Sequence, residues 1–329
     1  MNKKKYVNRN YLTTTRIIAL GFLITVIVGT ILLSLPIASA NGTWTDLLTA
    51  AFTSTTSVCV TGLVVVDTFS YWSLFGKGVI LILIQIGGLG IVSIITLFML
   101  LLRMKITLKS TMLLQDAFNL NSKQGLLKFT IKVIKGTFLI EGIGALIYSF
   151  YYCREYGFLK GIWFSVFHAV SAFCNAGIDI MGADSLISYH SNLLMMLNTS
   201  FLIIMGGIGF IVWWDTVEAF RRIRTKRCSI RSAWNGVHLQ TKIAIFMTLL
   251  LLIGGTIVIY FLERSNPDTL GNLSEKDRIL NAFFQSVTFR TAGFAAVSQV
   301  ALRPVTAFFG VLLICLLYTS PSPRDVEES

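Results

Sequence analysis

Charge is scarce in this chain: Asp, Glu, Lys and Arg make up 13 % of its 329 residues, against 54 % hydrophobic ones. A soluble globular domain needs about a quarter of its residues charged to clothe its surface, and a mean hydropathy of +0.72 excludes that class. The chain reads as an integral membrane protein. Its five cysteines (Cys59, Cys153, Cys174, Cys228, Cys315) show no CxxC or Cys/His spacing, so neither a disulfide framework nor a zinc site is indicated, and they read as small buried hydrophobes. The three histidines, His168, His190 and His238, fall in different segments, and no HExxH, GxSxG or P-loop pattern occurs. The chain is therefore not read as an enzyme, and no covalent cofactor is indicated. The net charge of +12 comes without any nucleic-acid signature, so no nucleic-acid partner is expected.

What the chain does have is long apolar runs. A bilayer with roughly 30 Å of hydrocarbon needs about 20 helical residues to cross it, and runs of that kind cover 17–35, 78–102, 129–152, 192–214 and 242–262. A sixth starts near Pro304 and stops early. The basic N-terminus is followed by an apolar run too long for a signal peptide and without an early cleavage site, so it reads as a retained first span. Of the 28 Lys and Arg, 19 fall in 1–16 (five), 103–135 (seven) and 221–242 (seven). By the positive-inside rule these segments, including the N-terminus, are cytoplasmic. The opposite loops carry most of the acids: Asp46, Asp67, Glu155, Asp179, Asp184, Glu263, Asp268, Glu275 and Asp277.

One pattern recurs three times. A small-Phe pair is followed ten residues later by glycine: Ala51-Phe52 to Gly62, Val166-Phe167 to Gly177, and Ala282-Phe283 to Gly293, with the glycines 115 and 116 residues apart. A period that long indicates a duplicated structural unit. Each unit begins and ends on the cytoplasmic side, so two spans flank the Phe-to-Gly segment. That segment has about ten helix-compatible residues, about 15 Å and half a bilayer, followed by a polar, small-residue stretch. Backbone that leaves helix at membrane depth survives only where protein buries it or where it lines a wet cavity, so the unit reads span, re-entrant pore loop, span. Several such loops around one axis aim backbone carbonyls and negative helix ends at a cation.

The predicted organisation is all-α and integral to the membrane, with tandem span/pore-loop/span repeats around a central pore. A tail covers 1–16; repeat one covers 17–102 with its loop at 46–63, repeat two 129–214 with its loop at 161–178, and repeat three 242–317 with its loop at 279–294.

SVCVTGL (57–63), SAFCNAGI (171–178) and FRTAGF (289–294), with RIIALGFL near the start, resemble the first three filter loops and the opening of the Ktr/Trk/HKT potassium transporter superfamily, specifically its KtrB-like membrane subunits. The resemblance runs from about Arg16 to about Leu317. It implies four repeats around one pore, each loop supplying a quarter of a potassium filter. By position the filter residues here would be Val60, Thr61 and Gly62; Asn175, Ala176 and Gly177; and Thr291, Ala292 and Gly293. It also implies potassium uptake across the cell inner (cytoplasmic) membrane, with K+ and also Na+ as ions to consider, a homodimer, and gating by a cytoplasmic nucleotide-binding regulatory subunit (KtrA-like). Glycine at all three visible loops suggests potassium. Only three of the expected four repeats are present, and 318–329 (YTSPSPRDVEES) is polar and unlike the apolar stretch before it. The expectation is a C-terminally truncated chain with a non-native tail, which alone should not conduct selectively; a natural short form is the other reading.

Several residues keep two readings. The Gly-rich segments Gln85-Ile86-Gly87-Gly88-Leu89-Gly90 and Met205-Gly206-Gly207-Ile208-Gly209 serve close helix packing or line an inner pore. Glu141, within an apolar span, bonds a neighbouring helix or lies in a wet crevice. Asp67 and Asp179 concentrate cations at an outer mouth or merely solvate loops. The run 221–227 anchors the membrane face, or docks a regulator or lipid headgroups. Arg290 reads as a clamp behind the third loop, with Glu275 or Asp277 as candidate partners, and His168 as a packed neutral side chain. The rival function is a rocking secondary cation transporter, which also uses broken helices but would show inverted halves.

Overall fold

The computed structural model describes residues 14–90, 93, 126–182, 185–226, 229–290 and 292–318. Residues 1–13 of the expected tail, 103–125 of the first basic link, Asp184, Arg227, Cys228, Thr291 and the stretch 319–329 lie outside the described residues. Among the described residues the fold is helical, with a single isolated bridge between Ser39 and Trp72. The principal helices are α1 (Thr14–Ser34), α2 (Leu47–Val58), α3 (Leu74–Leu89), α4 (Leu126–Tyr156), α5 (Phe158–Phe173), α6 (Leu193–Gly207), α7 (Phe210–Lys226), α8 (Leu239–Glu263), α9 (Glu275–Thr288) and α10 (Pro304–Tyr318).

Capping chemistry starts the short helices. Asp46 accepts from the Leu48 and Thr49 amides at the head of α2, and Ser274 accepts from Asp277 N at the head of α9. At α5 a glycine does the work instead: Gly157 takes φ 81 and folds α5 back along α4, with Gly161 against the Cys153 backbone. These three helices, of 12, 16 and 14 residues, are somewhat longer than the ten expected, yet all are shorter than a bilayer crossing.

By contrast α4 and α8 are long and apolar enough to cross a membrane. On α8 the residues Phe246, Leu249, Leu250, Ile253, Ile257 and Phe261 are all exposed and recur at three- and four-residue spacing. An apolar stripe of that length facing outward is a liability in water and the expected surface in lipid. Each short helix packs on the long helix before it: α2 on α1, α5 on α4, α9 on α8. Between these pairs α3 packs on α5 and α6 packs on α9, so each of those two helices supports the short helix that comes later in the chain.

The apolar runs 78–102 and 192–214 were expected to be continuous spans, and both helices stop short. α3 ends at Leu89 with Gly90 at φ 77, and α6 ends at Gly207 with Gly209 at φ 93. Positive φ cannot continue a right-handed helix, and the repeated GGxG places that break at the same point in both units. After the second break α7 departs at 101°. The other glycines of these segments serve close packing: a Cβ on Gly87 would lie 2.2 Å from the Val58 carbonyl oxygen, and one on Gly206 1.7 Å from that of Phe173. Of the cysteines expected to be buried, Cys174 is, Cys153 is half-buried, and Cys59 and Cys315 are exposed.

Candidate functional site

The chain leaves α2 and α5 through the same backbone geometry. Val60 and Asn175 take φ 54 and 57, conformations rare for residues with a Cβ, and Gly62 and Gly177 follow at φ 80 and 63. The Thr61 amide donates to Thr56 O at 2.9 Å and the Ala176 amide to Ser171 O at 2.8 Å, each bond reaching back five residues. After α9 the Ala292 amide donates to Thr288 O at 3.0 Å, and Gly293 takes φ 80. Thr291, the remaining filter candidate, lies outside the described residues.

A hydroxyl from each short helix then clasps the residue just past each glycine. Thr56 Oγ1 accepts from Leu63 N at 3.0 Å, Ser171 Oγ donates to Ile178 O, and Thr288 Oγ1 donates to Phe294 O at 2.7 Å. These positioning hydroxyls were not anticipated from sequence. Thr56 and Ser171 share the 115-residue register and could have been found by it, while Thr288 is shifted by one residue and could not.

The three loops converge. A Cβ added to Gly62 would lie 2.7 Å from Ala176 O and 3.5 Å from Gly177 Cα, and one on Gly177 would lie 2.4 Å from Ala292 O and 2.8 Å from Gly293 Cα. Three glycines distant in sequence thus meet with no space for side chains between them. Over them opens a cavity of ≈ 340 Å³ whose lining includes Gly62, Gly177, Gly293, Asp67 and Asp179. The Asp67 carboxylate caps a short helix (Thr68–Tyr71), accepting from the Phe69 and Ser70 amides and from Ser70 Oγ. Burial pushes its carboxyl up, but those hydrogen bonds with Lys77 nearby more than offset this and hold it below its ordinary value. Asp179 accepts from Met181 N and Ser185 Oγ. Ser185 also accepts from Ala295 N at 3.5 Å, tying the second loop to the third. Both acids therefore sit on the cavity wall, where they can act on a cation.

The remaining candidates lie behind the loops. Glu141 is buried and accepts from Gln85 Nε2 at 3.1 and 3.3 Å, which decides for the hydrogen bond between helices over the wet crevice. His168 is buried among the rings of Tyr148, Tyr152 and Phe294, the last of these directly following Gly293. Arg290 is buried and donates to Thr248 on α8 at 3.2 Å. The acids proposed for it are engaged elsewhere: Glu275 by Arg278 and Tyr260, Asp277 by Ser274 and Ser191. A further group was missed altogether. Glu263, expected only as an outer-loop acid, is fully buried and accepts from Asn266, Thr269, Thr306 and the Arg303 amide, fastening the C-terminal end of α8 to the start of α10.

Short helices whose following loops meet at Gly62, Gly177 and Gly293, framed by longer apolar helices, make up an all-helical protein of membrane character. The family model for TrkH, described as cation transport protein, matches residues 3–319, and the chain belongs to that family. It is 39 % identical over 314 residues to the potassium/sodium uptake protein NtpJ of Enterococcus hirae, covering 95 % of this chain and 66 % of that one. It is 38 % identical over 315 residues to the Ktr system potassium uptake protein B of Bacillus subtilis, covering 95 % and 67 %. The chain thus spans about two thirds of the length of these relatives. The crystal structure of the potassium transporter TrkH from Vibrio parahaemolyticus shares the fold, with a TM-score of 0.61 at 14 % identity over 95 % of this chain and 58 % of that one.

Proposed function

We propose that this chain forms the ion-translocating pathway of a potassium-uptake protein in the cytoplasmic membrane, with Val60 to Gly62, Asn175 to Gly177 and Thr291 to Gly293 as walls of its selectivity filter. The observation that carries the reading is the meeting of Gly62, Gly177 and Gly293 beneath a cavity walled by Asp67 and Asp179. Glycine packing brings main-chain carbonyls within reach of a common line, where they can replace the water shell of an alkali cation. The short helices point their C-terminal ends, and hence their negative dipole ends, toward the loops. The acids at the mouth raise the local cation concentration. The names of the relatives, potassium/sodium uptake protein and Ktr system potassium uptake protein B, support K+ as the ion and admit Na+. The word "system" in the second supports a multi-component assembly, which we assign as a homodimer with a cytoplasmic nucleotide-binding regulatory subunit. The basic segments 1–16, 103–135 and 221–242 support a cytoplasmic N-terminus.

The test is expression of the whole gene, a fourth repeat included where it encodes one, in a bacterium deficient in potassium uptake. Growth at limiting potassium and saturable rubidium-tracer uptake are expected, with potassium competing better than sodium. Absence of uptake with the protein present in the membrane, or uptake of sodium alone, would overturn the reading.

The clasps supply a second prediction. Thr288→Val removes the donor to Phe294 O at a buried site, worth roughly 1 kcal/mol net, or about a fivefold change in an equilibrium. Potassium-over-sodium preference is expected to fall by about that factor, and Thr288→Ser to restore it. Competition of each cation against rubidium uptake reads the outcome; an unchanged preference in Thr288→Val would show that the clasp does not set the filter's geometry.

A further inference from the structure

The basic-side end of the second unit carries features that the filter does not use. α6 has 15 residues, and α7 leaves its C-terminal end at a bend of 101°. Trp213 is buried at the bend and its Nε1 donates to Met205 O at 2.8 Å, which pins the angle. Further along α7, Val217 and Phe220 stand exposed at 53 % and 69 %, and Arg221 and Arg224 are exposed one turn on. An apolar ridge beside cations on a helix lying in the interface is the arrangement that binds membrane surfaces.

Beneath α7 lies an apolar cavity of ≈ 340 Å³ between α4, α7 and α8, lined among others by Leu139, Ile140, Val212, Trp213, Trp214 and Ile245. Leu139 is 64 % exposed, so the cavity communicates with the lipid-facing surface. At its rim Lys132 Nζ sits 5.4 Å from the Trp214 ring centroid, one turn from Gly136 of the cavity wall, and Lys135 is exposed beside it. Of the acids on α7, Glu218 lies 3.9 and 3.8 Å from Arg221 and Arg222 and Asp215 accepts from the His238 amide, and among the described residues Lys132 and Lys135 form no ion pair.

An apolar chamber opening toward lipid with cations at its mouth fits a single amphiphile. We propose that this cleft binds an anionic phospholipid, with one acyl chain in the cavity against Trp213 and Trp214 and the phosphate held by Lys132 and Lys135. The charge complementarity names the headgroup class, because each basic residue near the surface attracts an anionic lipid while a zwitterionic one gains little. The site stands apart from the filter and does not rest on the ion that passes through it.

The two tryptophans are the probe. The purified protein is reconstituted in vesicles containing phosphatidylglycerol or phosphatidylcholine with brominated acyl chains, and the fluorescence lost from Trp213 and Trp214 is isolated by subtracting the Trp213→Phe/Trp214→Phe variant. Half-maximal quenching is expected at about tenfold lower mole fraction of brominated phosphatidylglycerol than of brominated phosphatidylcholine. In the unsubstituted protein, raising the salt concentration should shrink that preference. Lys132→Gln/Lys135→Gln should abolish it while leaving quenching by phosphatidylcholine unchanged. Equal quenching by the two lipids would mean ordinary surrounding lipid and overturn the proposal. No quenching by either would mean that a protein segment, from this chain or a second copy, fills the cavity, and would overturn it equally.

Discussion

Replacing Gly177 by alanine is expected to reduce ion uptake at least about a hundredfold while the protein remains in the membrane. Two costs combine. At φ 63 an alanine pays the left-handed penalty of about 1–2 kcal/mol. Its Cβ would also sit 2.4 Å from Ala292 O and 2.8 Å from Gly293 Cα. Both are backbone atoms of the neighbouring loop, so no side chain can rotate away, and relief requires moving the very carbonyls proposed to hold the ion. A combined cost of about 3 kcal/mol corresponds to about two powers of ten. The three glycines should grade by their surroundings. At Gly62 the nearest atom to an added Cβ is Ala176 O at 2.7 Å, whereas at Gly293 it is Gly177 Cα at 3.2 Å, so Gly293→Ala should be the mildest. Initial rubidium-tracer rates, normalised to the amount of protein in the membrane, test the order. Gly177→Ala with more than half of normal uptake would contradict a constriction shared by the three loops.

Glu263→Ala is expected to destabilise the third unit by about 3–5 kcal/mol, since each buried group that loses its partner costs about 1–3 kcal/mol and the losses are not fully additive. The carboxylate is fully buried and gathers Asn266 Nδ2 at 2.7 Å, Thr269 Oγ1 at 2.6 Å, Arg303 N at 2.9 Å and Thr306 Oγ1. Its partners lie on the turn after α8 and on the entry to α10, so its removal releases both at once. Glu263→Gln keeps one acceptor oxygen but turns an NH2 toward donors, and should fall between alanine and glutamate. Thermal unfolding of the purified protein in detergent measures the effect, and an unshifted midpoint in Glu263→Ala would show that Glu263 does not fasten α8 to α10.

The short helices were legible because their sequences break two rules together: each is too short to cross a bilayer, and each ends in a small polar stretch where an ordinary span would continue. The 115-residue register added what no single loop could, since the same glycine offset three times leaves little room for coincidence. The helix breaks after Leu89 and Gly207 were hidden within apolar runs. Hydropathy averages over such a run and does not register the φ of one glycine inside it. Glu263 was misjudged for the opposite reason. As a lone acid at the edge of a span it looks solvent-exposed, and its burial depends on partners up to 43 residues away that only the fold brings near.

By itself the sequence determined membrane character, the position of the three short helices and the glycines that follow them, because scarcity of charge, segment length and period are local properties that bilayer thickness and backbone sterics read directly. Only the tertiary structure decided which loops touch, that Asp67 and Asp179 share one cavity wall, that Glu141 bonds Gln85 and Arg290 reaches Thr248, and that α7 turns aside over an apolar cleft. Each of these joins segments distant in the chain, or turns on a single backbone angle. Such contacts are selected by the packing of the whole, because the hydrogen bonds and volumes that settle them exist only once the helices have met.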